Sequence, residues 1–280
     1  MRIGGSTWSF LRESDLAGAF ERLAGLGLIR VDLLLTAPHV PALSMTSQEA
    51  AAIGAAARRA GVIVEAVDAP FLDQNLASAN LEMRAFTVAQ IRRMIDLANA
   101  LEAEFSLMLP GRMPPPTANP AAKAVYIDWL RAGCDQIARY ASGKGVQLLM
   151  ENHPIAVLAD TAEMAAFLGG YDGAIGALYD TANAAVARED QARAIRTIAP
   201  WLKQVHLADA TSLRGAHDPV GDGEVDFRAV LSALGGIGFS RTCVLEVVGP
   251  DPGNGLSRSL AALADRGWRF DPAATGTGDL

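Results

Sequence analysis

Leu148-Leu149-Met150-Glu151, Ala177-Leu178-Tyr179-Asp180, Gln204-Val205-His206 and Val244-Leu245-Glu246 share one pattern: a short apolar run of strand length that ends in a side chain able to bind a metal ion. The polar ends fall at 151, 180, 206 and 246, so the intervals are 29, 26 and 40 residues, each long enough for a helix and a return to the next strand. A carboxylate or imidazole at the end of a buried strand is costly unless something binds it. Four of them on consecutive parallel strands converge at one mouth of a sheet, and that convergence is the functional expectation.

The same rhythm runs through the rest of the chain. Apolar strand candidates occur near 2–7, 29–35, 62–68, 104–109, 146–151, 175–180, 204–208 and 243–248. Helix-patterned segments lie between them: Asp15 to Leu26, Ser47 to Ala60, Leu81 to Leu101, Ala121 to Ser142, Thr161 to Leu168, Gln191 to Trp201 and Phe227 to Leu234. Several close on glycine, at Gly25, Gly27, Gly61 and Gly145, where a left-handed C-cap costs least. Strict alternation of strand and helix predicts an α/β fold with a parallel sheet, and eight repeats predict its closure into a single-domain (β/α)8 TIM barrel over residues 1–270. Residues 271–280 read as a frayed tail. An open doubly wound sheet is the alternative, but no Gly-x-Gly-x-x-Gly follows the first strand, and Gly4-Gly5 is not that fingerprint.

Composition narrows the partners. The 280 residues are 50% hydrophobic and only 6% aromatic, a profile of helices packed around a sheet. The formal charge of −7 gives no basic face for nucleic acid, so a small-molecule substrate is expected. Cys134 and Cys243 stand alone and suggest no disulfide framework. Met1-Arg2-Ile3-Gly4-Gly5 reads as a strand start rather than a signal peptide, and no apolar stretch has membrane-spanning length. The expectation is a cytoplasmic protein without a membrane partner. Apolar helix-face residues would serve the barrel and a homo-oligomer interface alike.

Each polar candidate also has a plainer reading. Glu151 and Glu246 could cap helices or pair with arginines; Asp180, before Thr181, could be an N-cap; His206 could be a hydrogen-bonded core histidine. All four occupying the same place in their repeat favours one metal site. Three oxygen donors and an imidazole suit Mn²⁺ best, with Mg²⁺, Co²⁺ or Zn²⁺ as alternatives. Around them, Asn152 and His153 could contact substrate or stabilise the turn before Pro154. Asn183 sits one helical turn past Asp180. Arg214 could bind an anion or sugar hydroxyls or lie on the surface, and His217 and Asp218, in the same loop, could be functional residues or solvated loop side chains. Trp8, just past the first strand, could stack on a sugar face or close the barrel. Two long connections, Gly111 to Pro120 and Ala210 to Asp226, fall where barrel enzymes place substrate loops.

At Leu149-Met150-Glu151-Asn152-His153, Tyr179-Asp180-Thr181-Ala182-Asn183, Val205-His206-Leu207-Ala208-Asp209, Gly221-Asp222-Gly223-Glu224-Val225-Asp226-Phe227 and Leu245-Glu246 the chain resembles the sugar phosphate isomerase/epimerase family with the xylose isomerase-like TIM barrel. The resemblance covers Arg2 to about Trp268. It implies that Glu151, Asp180, His206 and Glu246 hold one divalent metal, with the two glutamates as acid/base groups flanking a sugar, keto-sugar or sugar-acid derivative that reacts through an enediolate. Substrate contacts are then expected from His153, Asn183, Arg214 and Trp8. Asn183 stands where ketose 3-epimerases carry a histidine. Val67-Asp68-Ala69-Pro70 and Leu107-Met108-Leu109-Pro110 lack the extra histidines of the apurinic endonuclease branch. A dehydratase of the inosose or dehydroshikimate type would use the same α-proton abstraction, and a non-catalytic sugar-binding subunit would keep the barrel without turnover.

Overall fold

A computed structural model describes residues 1–40, 46–68, 74–112 and 120–271. Eight parallel strands close into a barrel: β1 (Arg2–Ser6), β2 (Arg30–Leu34), β3 (Ile63–Asp68), β4 (Phe105–Met108), β5 (Gln147–Glu151), β6 (Ile175–Asp180), β7 (Leu202–Leu207) and, after a small hairpin, β10 (Thr242–Leu245). The hairpin is β8 (Asp209–Thr211) with β9 (Arg214–Asp218). Going round the barrel the order is β1-β10-β7-β6-β5-β4-β3-β2. Register sets the ligand-bearing ends side by side, with Glu151 opposite Leu178 and Asp180 opposite His206.

The helices on the outside are α1 (Leu16–Gly25), α2 (Ser47–Ala60), α3 (Leu81–Ala100), α4 (Pro120–Ser142), α5 (Thr161–Leu168), α6 (Thr181–Val186), α7 (Gln191–Ile198), α8 (Phe227–Gly236) and α9 (Pro252–Asp265). Local chemistry fixes their starts. Thr46 and Glu49 form a reciprocal capping box, and Asp15, Asn80, Asp160, Asp180, Asp190 and Asp251 each accept a third-residue amide. Gly27, Gly61 and Gly145 adopt positive φ as expected, whereas Gly25 is simply the last residue of α1. The helix expected to reach Trp201 stops at Ile198, and the connection from Ala210 to Asp226 contains the hairpin instead of being all loop. Most of the Gly111–Pro120 connection, residues 113–119, lies outside the described residues, as do residues 272–280 of the expected tail. Asp271 is held to the start of the chain, its amide donating to the Met1 carbonyl at 2.8 Å.

Alternation along the strands separates two cores. One set of residues packs between sheet and helices, including Phe20, Leu33, Met150, Tyr179, Leu207 and Leu245. A smaller group, Ala66, Phe105, Leu107, Leu149 and Leu178, fills the barrel itself. Leu149 and Leu178 lie two residues before Glu151 and Asp180, so the carboxylates share their inward face. The apolar plug is thus the floor beneath the polar end.

Gly4 and Gly5, rejected above as a nucleotide motif, are there for space. A Cβ on Gly4 would overlap the Arg30 carbonyl oxygen on β2, which is backbone and cannot swing away; one on Gly5 would lie 2.7 Å from Leu23 Cδ2 of α1. Gly4→Ala is therefore expected to lower unfolding free energy by about 1–3 kcal/mol, the usual cost of overpacking. A urea melt matching wild type would remove this account of the β1–β2 contact.

Candidate metal centre

Tyr179-Asp180-Thr181-Ala182-Asn183 shows how local sequence builds the site. Asp180 ends β6 and caps α6 with Oδ1, which accepts from the Asn183 amide at 2.5 Å. Thr181 Oγ1 donates to the Ala208 carbonyl at 2.7 Å and accepts from the Ala208 amide at 3.1 Å, pinning the end of β6 to the end of β7. Asn183 Nδ2 then reaches Glu151 Oε1 at 3.0 Å. From the other side Asn152 clamps the Asp180 backbone, donating to its carbonyl at 3.0 Å and accepting from its amide at 2.7 Å. Both ends of the Asn152 amide are thus spent on the main chain.

Glu151, Asp180, His206 and Glu246 come together, all buried, with one ligand atom from each lying within 4.8 Å of the others. His206 Nδ1 stands 3.2 Å from Glu246 Oε2 and 4.0 Å from Asp180 Oδ2. A small divalent ion with bonds of about 2.1 Å puts neighbouring ligands about 3 Å apart and opposite ones about 4.2 Å apart. Both His206 spacings fall in that range, and the set as a whole is slightly wider than a bound ion would hold it. Asp180 Oδ2 and Glu246 Oε1 are buried without a hydrogen-bond partner among the described residues, an expense that a bound cation would offset. The set could therefore hold a metal, and its oxygen-rich donors suit Mn²⁺, Mg²⁺ or Co²⁺ as well as Zn²⁺.

The protein's own charges are strongly coupled here. Burial raises the Glu151 carboxyl well above the usual range, and although His206 opposes this, Asp180, Glu246 and Asp68 add to it. Burial also works against ionised Glu246, yet His206 and His217 outweigh it and hold that carboxyl low. For His206, burial favours the neutral ring, but Glu246 and Asp32 carry its pKa well above 6.5. These pulls describe carboxylates crowded into a buried space that draw protons onto the two imidazoles, protons that a bound cation would replace.

His217 is the residue that the hairpin delivers. Its Nδ1 lies 3.2 Å from Glu246 Oε2 and 4.0 Å from Asp180 Oδ2, and its ring meets Trp8 edge-on at 4.9 Å between centroids. Asp180, Glu246 and Glu151 overcome burial and push its pKa up to about 9. The hairpin is anchored at its base by Asp209, whose carboxylate accepts from Gly221, Val225 and its own neighbour Ala210 at 2.8 to 3.0 Å. Gly223 sits so close to Asp209 and the Ala210 backbone that any side chain would overlap them. This links the Asp209 motif to the glycine-rich stretch noted in the sequence.

The remaining candidates are placed differently. His153 is half-buried; its Nδ1 accepts from the Ile155 amide at 3.3 Å, and burial together with His217 lowers its pKa to about 4. It lines a recess with Gln74, Leu109, Gly111 and Arg112. Arg214 lies on the exposed part of β9 and pairs with Asp218 rather than joining the four-residue cluster. Asp32 went unnoticed in the sequence although it breaks the apolar run Val31-Asp32-Leu33, which was a usable signal. It is wholly buried and accepts from His206 Nε2 at 2.9 Å.

Residues 20–266 match the xylose isomerase-like TIM barrel family, and the chain belongs to it. An uncharacterised protein of Methanocaldococcus jannaschii is 28% identical over 186 residues; the match takes in 64% of this chain and spans 63% of the relative's length. Among solved structures, a D-tagatose 3-epimerase-like protein superposes with a TM-score of 0.80 at 22% identity, over 96% of this chain and all of its own. An L-ribulose 3-epimerase gives 0.77 at 20% identity, over 95% of each chain. The 3-keto-D-glucoside 4-epimerase of E. coli gives 0.78 at 17%, covering 95% of this chain and 99% of that one. These likenesses establish the fold. Among the described residues no helix is long and apolar enough to cross a membrane.

Proposed function

We propose that the protein is a metal-dependent isomerase or epimerase of a small sugar, keto-sugar or sugar-acid derivative. The observation that carries this reading is the meeting of Glu151 at the end of β5 and Glu246 just after β10 with Asp180 and His206 in one buried cluster. A carbon next to a carbonyl is a weak acid, and removing its proton leaves the bonding pair in an enediolate with negative charge on oxygen. A divalent ion held by the four residues would supply positive charge where that oxygen charge develops. One of Glu151 and Glu246 takes the proton, and the other returns one to a different carbon or to the opposite face. Asn183 steadies Glu151, His217 stands against Glu246, and Trp8 backs His217. In this reading Trp8, His153 and Asn183 border the substrate, and Arg214 would reach it only by leaving Asp218.

The test is isotope exchange. The Mn²⁺-loaded protein is incubated in D₂O with a panel of ketoses, aldoses, keto-sugars and sugar acids. Deuterium is expected at a carbon adjacent to the carbonyl of recovered substrate and of its isomer. An unsaturated or diketo product would replace the proposal with a dehydratase, and no exchange across the panel would replace it with sugar binding alone.

A further inference from the structure

His206 has two ring nitrogens and only one can be a ligand. Nδ1 faces the cluster, 3.2 Å from Glu246 Oε2 and 4.0 Å from Asp180 Oδ2. Nε2 points the other way, 2.9 Å from Asp32 Oδ2. The second oxygen of Asp32 is also engaged, because Gln204 Nε2 donates to Oδ1 at 3.0 Å. Gln204 and His206 are two apart on β7 and so share its inward face, whereas Asp32 comes from β2, with β10 and β1 lying between. One carboxylate thus receives two side chains of the strand that carries the imidazole.

We propose that Asp32, itself oriented by Gln204, is a positioning residue that fixes the His206 tautomer and ring rotation so that Nδ1 presents its lone pair to the metal. A neutral imidazole with a free Nδ1 must carry its proton on Nε2, and Asp32 Oδ2 accepts that hydrogen. A carboxylate partner also strengthens the other nitrogen as a donor, which is why removing such outer partners commonly weakens metal binding 10- to 100-fold. Asp32, His206 and Gln204 are all fully buried, so water has no route to substitute for the carboxylate. The Gln204 amide has no freedom to turn its oxygen toward Asp32 without setting two acceptors against each other. Asp32 is wholly buried, and its carboxylate meets His206 and Gln204, so its effect passes through His206.

This inference rests on the metal site proposed above, and the experiment separates the two. Mn²⁺ affinity is measured by calorimetry for wild type, Asp32→Asn and Gln204→Ala, alongside melting of the metal-free proteins and the visible spectrum with Co²⁺. Asp32→Asn is expected to weaken Mn²⁺ binding by about 10- to 100-fold and to alter the Co²⁺ ligand-field bands. Gln204→Ala keeps the carboxylate on His206 and is expected to weaken binding by about 3- to 10-fold. It serves as the deciding variant if Asp32→Asn does not fold. Wild-type affinity and an unchanged Co²⁺ spectrum in the folded variant would overturn the positioning role while leaving the metal site standing. Failure of the wild type to take up Mn²⁺ or Co²⁺ would overturn both.

Discussion

Glu246→Gln is expected to lower turnover by about 10²–10⁴-fold at saturating metal and substrate, the range that a positioned acid or base contributes. The fold should survive. Glu246 follows β10, and its amide donates to the Leu207 carbonyl at 3.2 Å whatever the side chain, so the strand end stays paired. What changes is the carboxylate that His206 and His217 share, each with a nitrogen 3.2 Å from Oε2. A glutamine there keeps the shape but neither accepts a proton from substrate nor balances two imidazoles. Rates of deuterium exchange, read beside near-ultraviolet circular dichroism, give the answer. Exchange within twofold of wild type in the folded variant would strip Glu246 of its assigned role.

Asp180→Asn should have the second largest effect, on metal uptake rather than on architecture. The two oxygens of Asp180 do different work. Oδ1 caps α6 through the Asn183 amide, and asparagine caps a helix as well as aspartate does. Oδ2 has no hydrogen-bond partner among the described residues and faces the cluster, 4.0 Å from His206 Nδ1 and from His217 Nδ1. Replacing it with an amide NH₂ puts a donor where a cation needs an acceptor and removes one negative charge. Mn²⁺ affinity is expected to fall by at least about 100-fold, beyond the usual cost of losing an outer-shell partner, while the melting temperature of the metal-free protein changes little. Calorimetry on the two proteins measures it, and equal affinities would exclude Asp180 as a ligand.

The barrel was legible because its signals are periodic and local. Each ligand-bearing strand is a short apolar run with a polar end, and the helix starts carry their own capping residues, as at Thr46-Glu49 and Asp160-Glu163. Site residues that depend on contacts across the barrel were not legible in the same way. Asp32 interrupts an apolar strand, which marks it as costly, but its partner is 174 residues away and nothing local names it. His217 lies in Arg214-Gly215-Ala216-His217-Asp218, which has too little apolar alternation to read as a strand. It becomes one by pairing with Asp209–Thr211, and Asp209 holds the base through loop amides. Asn152 shows why position alone does not choose between roles: a polar residue beside a ligand reads equally as a substrate contact or a structural one, and its amide bonds the Asp180 backbone through a pairing 28 residues away.

The central claim is that Glu151, Asp180, His206 and Glu246 bind one divalent ion together. Crystals grown with Mn²⁺ and measured for its anomalous signal test that most directly. One peak per chain, bonded to those four side chains and to Nδ1 of His206, is the predicted result. A protein crystallised in millimolar Mn²⁺ with no peak there, or with the ion held elsewhere, would contradict it.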